Sequence, residues 1–148
     1  MSGTDKKFPS ILLVDDSVDD HRAMIRSCEK AHLNNPIRWC KSGQSALDFL
    51  QSDESSGENR PALILLDLNM PGMDGRKLLA ILKEDPDLKK IPVIILTTSD
   101  HEEDIEYCYA LGASTYIQKP VQFESLIDAV KRLKDYWFEL ALLPRDFM

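Results

Sequence analysis

Asp67 follows an unbroken apolar run, residues 62–66, and precedes Leu68, Asn69 and Met70-Pro71-Gly72-Met73-Asp74-Gly75. An aspartate at the carboxyl end of a buried strand must face a crevice, because the strand interior cannot solvate its charge. Near the start of the chain, Ile11-Leu12-Leu13-Val14 runs into Asp15-Asp16 in the same way. Two apolar strands that deliver carboxylates to one sheet edge make a site rather than a core. Three carboxylates that close repel one another and raise each other's pKa unless a cation neutralises them. Mg²⁺ fits that need, since it takes oxygen ligands and prefers one or two carboxylates with waters and phosphate oxygens. Thr97, ending another apolar run, offers a hydroxyl donor, and Lys119 offers a compact positive charge. Both suit the oxygens of a phosphoryl group in a loose transition state.

These residues need strands and helices to bring them together. Residues 11–14 read as a first strand. Ser17 caps the helix that follows, with Asp19 and Asp20 in its opening turn and Met24, Ile25, Cys28 and Ala31 as its apolar stripe. Asn34-Asn35-Pro36 ends it, and residues 37–41 form a second strand. Ser42-Gly43 opens a helix carrying Ala46, Leu47, Phe49 and Leu50, and residues 51–60 are a polar surface loop. After the third strand, Asp74 caps a helix that buries Leu78, Leu79, Ile81 and Leu82. Residues 92–97 are the fourth strand. Glu102, Glu103 and Asp104 open a fourth helix that Gly112 closes. Residues 114–118 form a fifth strand, followed by Lys119-Pro120 and a long last helix. The alternation predicts an α/β fold, a parallel sheet covered on both faces. Ligands of such sheets bind outside the carboxyl ends of the strands. Asp15, Asp16, Asp67, Asn69, Thr97 and Lys119 all map to that edge.

The 148 residues make one domain with a full core and are too few for two ordinary ones. Lys+Arg 18 against Asp+Glu 25 gives a net charge of −7, the wrong sign for binding nucleic acid through its phosphates. No run approaches the roughly 18 apolar residues of a membrane span, and the start lacks the apolar core of a signal peptide. Three scattered cysteines, Cys28, Cys40 and Cys108, fit a reducing cytoplasm better than a disulfide framework.

An acidic pair after strand one, D-x-N-M-P-x-M-D-G over 67–75, Thr97 and Lys119-Pro120, in this order on this strand pattern, resemble the receiver domain of two-component response regulators. The resemblance covers residues 10–135, after an arm at 1–9, and implies a flavodoxin-like, doubly wound five-stranded sheet of order 2-1-3-4-5 with five surrounding helices. It implies that Asp67 accepts a phosphoryl group from a histidine kinase. Asp15, Asp16 and Asp67 would hold Mg²⁺ with the backbone carbonyl of Asn69, while Thr97 and Lys119 contact the phosphoryl group. The Lys119–Pro120 bond would be cis, and Tyr116 would be the switch aromatic that swings inward with Thr97. Thr98 departs from the pattern, where a small residue is usual, and is expected to alter phosphoryl lifetime. Two other readings remain beside signalling through protein contacts: an intermediate phosphorelay carrier, and an aspartate-nucleophile phosphatase. The second is weakened by Asn69, which stands where such enzymes carry an acid.

The end of the chain is apolar nearly all round from Tyr136. A helix over 123–142 would be about 30 Å long at about 1.5 Å per residue, whereas covering a five-residue strand needs about 17 Å. The surplus, 136–148, is expected to form a homodimer or partner contact through Tyr136, Trp137, Phe138, Leu140, Leu142 and Leu143. The alternative is that it folds back onto the core. The tail, the polar loop and Thr97-Thr98-Ser99 also resemble the regulators linked to bacterial phytochromes. The kinase partner would then be a bacteriophytochrome.

Overall fold

Three strands of the computed structural model, which describes residues 8–144, are buried along their whole length: β1 (Ile11–Val14), β3 (Leu63–Leu66) and β4 (Val93–Thr97). Strands flanked by parallel neighbours and covered by helices on both faces have no polar side, so they read as continuous apolar runs. β2 (Ile37–Cys40) and β5 (Thr115–Gln118) are more exposed and close the two edges. All pairings are parallel and the order is β2-β1-β3-β4-β5, the doubly wound arrangement expected from the sequence. Most of the arm 1–9, and residues 145–148 of the extension, lie outside the described residues.

The helices begin where the sequence places its caps. The Ser17 hydroxyl accepts the Asp20 N–H at the start of α1 (Val18–Lys30), and Ser42 with Ser45 forms a reciprocal capping pair at α2 (Gly43–Gln51). Asp74 accepts the Lys77 N–H at the head of α3 (Gly75–Glu84). Gly112, at φ 111°, closes α4 (Glu102–Leu111), a left-handed position that glycine occupies without steric cost. α5 (Phe123–Leu133) completes the set. Alternate strand residues serve opposite faces. Leu12 and Val14 meet the side chains of α2, α3 and α4, whereas Ile11 and Leu13 meet Met24 and Cys28 of α1 and Val130 of α5. Among the described residues, no helix is long and apolar enough to cross a membrane.

The last helix extends as expected, but not as a continuous α-helix. From Lys134 to Leu140 the turns widen to π geometry, and the Ala141 N–H reaches the carbonyl of Tyr136, five residues back. The chain then becomes extended at Ala141. With the wider turn, Trp137 and Phe138 both pack, half-buried, against the apolar cluster beneath α1 and α5. Those two residues therefore cover the chain's own core, the alternative weighed above. Tyr136, Leu140 and Leu142 stay exposed, Leu142 at 97%, and Leu143 is partly exposed.

The strand register sets the site. Val14 pairs with Leu66, so the next residue on each strand, Asp15 and Asp67, leaves the sheet side by side. Leu66 pairs with Ile95, and Thr97 pairs with Gln118, so Thr97 and Lys119 emerge along the same edge. Behind Asp67 the backbone is crowded by α3. A β-carbon on Gly75 would collide with the Asp67 carbonyl oxygen and lie 2.7 Å from the Leu68 α-carbon. Both obstacles are backbone and cannot rotate away. Gly75→Ala should therefore destabilise the fold by about 1–3 kcal/mol, the usual cost of overpacking, although alanine is the better helix former. Urea unfolding checks this, and an equal or higher midpoint for the variant would contradict it.

Candidate functional site

Lys119 brings the acidic residues together. Its ammonium donates to Asp15 Oδ2 at 2.9 Å, to Asp20 Oδ2 at 2.6 Å and to Asp67 Oδ2 at 3.3 Å. Its backbone N–H bonds the Thr97 carbonyl at 2.7 Å, which continues the β4–β5 pairing one step past the strand end. The lysine is thus fixed at its root and held at its tip. Burial disfavours its charge, but the hydrogen bonds to Asp20 and Asp15 and the charges of Asp15 and Asp67 outweigh that and raise its pKa. Asp15 shifts upward because burial exceeds the help it receives from the Ser17 N–H and from Lys119.

Asp15 and Asp67 are buried, at 3% and 6% exposure, while Asp16 is exposed. One side-chain oxygen from each of the three lies within 4.8 Å of the others. Two Mg²⁺ ligands are at most about 4.2 Å apart at about 2.1 Å per bond, so small side-chain rotations would bring the three oxygens around one ion. The donor set, carboxylate oxygens only, is that of a hard divalent cation. Asp15, Asp16 and Asp67 are the residues that could hold it.

Thr97 is fully buried, and its Oγ1 accepts from Asn69 Nδ2 at 3.4 Å and from the Ser99 N–H at 3.5 Å. With both contacts on the oxygen, the hydroxyl proton is free to donate. The Asn69 N–H lies 3.4 Å from Asp67 Oδ1. Tyr116 is half-buried on β5 and donates its hydroxyl to the Ser99 carbonyl at 3.0 Å, which places its ring inward. Thr98 is exposed, and its carbonyl accepts from Gln118.

The structure corrects one expectation. The Lys119–Pro120 peptide is trans, not cis. The trans form of an X–Pro bond is favoured by about 0.5–1 kcal/mol, and here a trans turn already delivers Lys119 to the carboxylates. Two contributors escaped the sequence analysis as site residues. In the sequence Asp20 is only a first-turn acid that suits the helix dipole, yet in the fold it makes the shortest contact to Lys119. Trp39 on β2 donates its indole N–H to the Asp15 carbonyl at 2.7 Å and stacks on His21 with ring centroids 3.9 Å apart. The only signal for Asp20 was its place one helical turn after the acidic pair. Trp39 had none.

Comparison with known proteins points to one family. The family model for the response regulator receiver domain matches residues 11–131. Response regulator Rcp1 of Synechocystis sp. is 39% identical over 135 residues, which cover 90% of this chain and 92% of Rcp1. The crystal structure of the phosphorylated cyanobacterial phytochrome response regulator RcpA superposes with a TM-score of 0.82 at 37% identity, covering 93% of this chain and 99% of RcpA. The Mn²⁺-bound form of Rcp1 superposes with a TM-score of 0.80 at 38% identity, covering 92% and 99%. With an acidic pocket, a clamping lysine and a buried threonine at the carboxyl edge of a 2-1-3-4-5 sheet, the chain belongs to the response regulator receiver family and is a phosphoacceptor of two-component signalling.

Proposed function

We propose that Asp67 is the residue that accepts the phosphoryl group, with Asp15, Asp16 and the Asn69 backbone carbonyl joining it to hold Mg²⁺. The observation that carries this reading is the reach of Lys119 to Asp15 and Asp67 at once, with buried Thr97 beside them. A carboxylate oxygen of Asp67 attacks phosphorus, the bond from phosphorus to the donor's imidazole nitrogen breaks, and an acyl phosphate forms. Lys119 is placed to follow the negative charge onto the phosphoryl oxygens, and the Thr97 hydroxyl to donate to one of them. Mg²⁺ held by Asp15, Asp16 and Asp67 would neutralise part of their charge, so that a further anion could approach. Attack of water on the acyl phosphate cleaves its bond to the Asp67 oxygen, releases phosphate and restores the carboxylate, so the protein catalyses only its own phosphorylation and dephosphorylation.

The donor in this reading is a histidine kinase of the bacterial phytochrome type, which similarity to RcpA supports. Three free, buried cysteines support a cytoplasmic setting. Residues 10–135 are the receiver unit. The tail supplies a self-association surface, for which the exposure of Tyr136, Leu140 and Leu142 is the supporting observation.

Asp67→Asn should take up no acid-labile phosphate from acetyl phosphate with Mg²⁺, while its circular dichroism matches the parent. Labelling equal to the parent's would assign the acceptor elsewhere. Lys119→Met should bind Mg²⁺ about tenfold more tightly, because the ammonium competes with the ion for Asp15 and Asp67; about tenfold corresponds to about 1.4 kcal/mol. The rise of thermal midpoint with added Mg²⁺ reports it, and a smaller rise than in the parent argues against a shared site. The parent should sediment as a dimer and the Leu140→Glu, Leu142→Glu variant as a monomer. A monomeric parent removes the self-association reading.

A further inference from the structure

α4 has little apolar burial to hold it in place. Of its ten residues only Cys108 is buried, with Leu111 packing partly against the same cluster. Its N-cap residue, His101, makes no side-chain capping bond. The head of α4 is instead fixed by a polar chain. The Arg76 guanidinium on α3 donates twice to Asp104, Nε to Oδ1 at 2.8 Å and Nη2 to Oδ2 at 2.8 Å, a parallel fork. The Ser99 hydroxyl donates to Asp104 Oδ2 at 2.7 Å, and its oxygen accepts the His101 N–H at 3.3 Å. The Arg76 Nη1 also lies 3.5 Å from Asp74, which caps α3.

Ser99 connects this chain to the site. Its N–H points to Thr97 Oγ1, its carbonyl accepts the Tyr116 hydroxyl, and its own hydroxyl is committed to Asp104. Ser99 is 9% exposed and bonded in three directions, so it cannot shift for one partner without disturbing the others. We propose that Arg76, Asp104 and Ser99 form a latch that holds Tyr116 inward and Thr97 aligned, and thereby sets how readily the site accepts a phosphoryl group. Arg76 and Asp104 are positioning residues: neither touches Asp67 or the acidic pocket. The fork from Arg76 and the Ser99 hydroxyl keep the Asp104 carboxylate ionised down to about pH 2, so the latch stays charged throughout the physiological range. Tyr109 adds a link, its hydroxyl accepting the Tyr116 N–H at 3.1 Å, so α4 also holds the backbone that carries the switch aromatic. If α4 is released at its head, both grips on Tyr116 loosen together.

The inference rests on the reading of Asp67 as acceptor, and the test separates the two. Initial rates of phosphate uptake from acetyl phosphate at saturating Mg²⁺ should fall about fivefold in Arg76→Gln and in Asp104→Asn. The double variant should be no slower than either single one, because both remove the same contact. Mg²⁺ affinity should stay within about twofold of the parent, since the carboxylates are untouched. Nuclear Overhauser contacts between the Tyr116 ring and Ser99 should weaken in each variant, a readout that needs no phosphoryl transfer. Arg76→Lys keeps the charge without the fork and should fall between, which also serves if Arg76→Gln does not fold. Unchanged or faster uptake with an unmoved Tyr116 ring, or losses that add in the double variant, would overturn the latch. Labelling of Asp67→Asn would overturn the acceptor assignment alone, and the Tyr116 contacts would still decide the latch.

Discussion

The ammonium of Lys119, set among carboxylates from three different elements, is the interaction on which the arrangement of the site depends. Asp15 comes from the end of β1, Asp20 from the first turn of α1 and Asp67 from the end of β3. Two unit charges 4 Å apart interact by about 4 kcal/mol at an effective dielectric of about 20, against about 1 kcal/mol in water. With Asp15 and Asp67 this deeply buried, the weaker figure does not apply to them. Removing one partner of such a group costs about 3–5 kcal/mol, because the charges left behind have neither water nor a counter-ion. Asp20 is nearly half exposed, so its contribution is more positional than energetic. It anchors the tip of the lysine without adding to the charge that must be buried.

The balance of charge in the crevice also explains its chemistry. Asp15, Asp16, Asp20 and Asp67 bring four negative charges against the one positive charge of Lys119, an excess of three. A phosphoryl donor, itself an anion, would be repelled by that excess. A divalent cation held by Asp15, Asp16 and Asp67 would cut that excess from three to one and ease the approach, so ion binding would favour phosphoryl acceptance through electrostatics. The Thr97 carbonyl fixes the root of Lys119, so its tip can exchange partners without moving the backbone.

Much of this was legible in the sequence because parallel β/α order is a strong constraint. Buried runs such as 63–66 and 93–97 can only be central strands, and the acids that end them can only reach one edge. Caps at Ser17, Ser42, Asp74 and Gly112 were readable for the same local reason. What escaped depends on long-range geometry. The Asp20–Lys119 contact joins residues 99 apart in the chain, and no local pattern marks it. Trp39 looks like any strand aromatic until β2 is set beside β1. The tail misled in part because a straight α-helix was assumed. Widening the turn at Lys134 changes which side chains face inward, and periodicity alone cannot foresee that. The Lys119–Pro120 peptide fell outside local reading too, since proline permits either isomer and only the surrounding turn selects one.

The distribution of apolar burial bears on where the fold can change shape. α3 lays Leu78, Leu79 and Leu82 fully into the core, and α1 and α5 share one apolar cluster with Trp137 and Phe138 over it. Moving any of these opens a cavity, at about 24 cal/mol for each Å³. α4 has no comparable penalty, because Cys108 is its one buried residue. Its position is fixed chiefly by directional polar contacts, which can be exchanged for others without opening a cavity; neutral ones are worth about 0.5–1.5 kcal/mol net, and those of the charged Arg76–Asp104 fork about 1.5–3 kcal/mol. α4, which lies beside Tyr116, is therefore the helix that can shift without opening a large cavity, while the helices that build the pocket are held by the core.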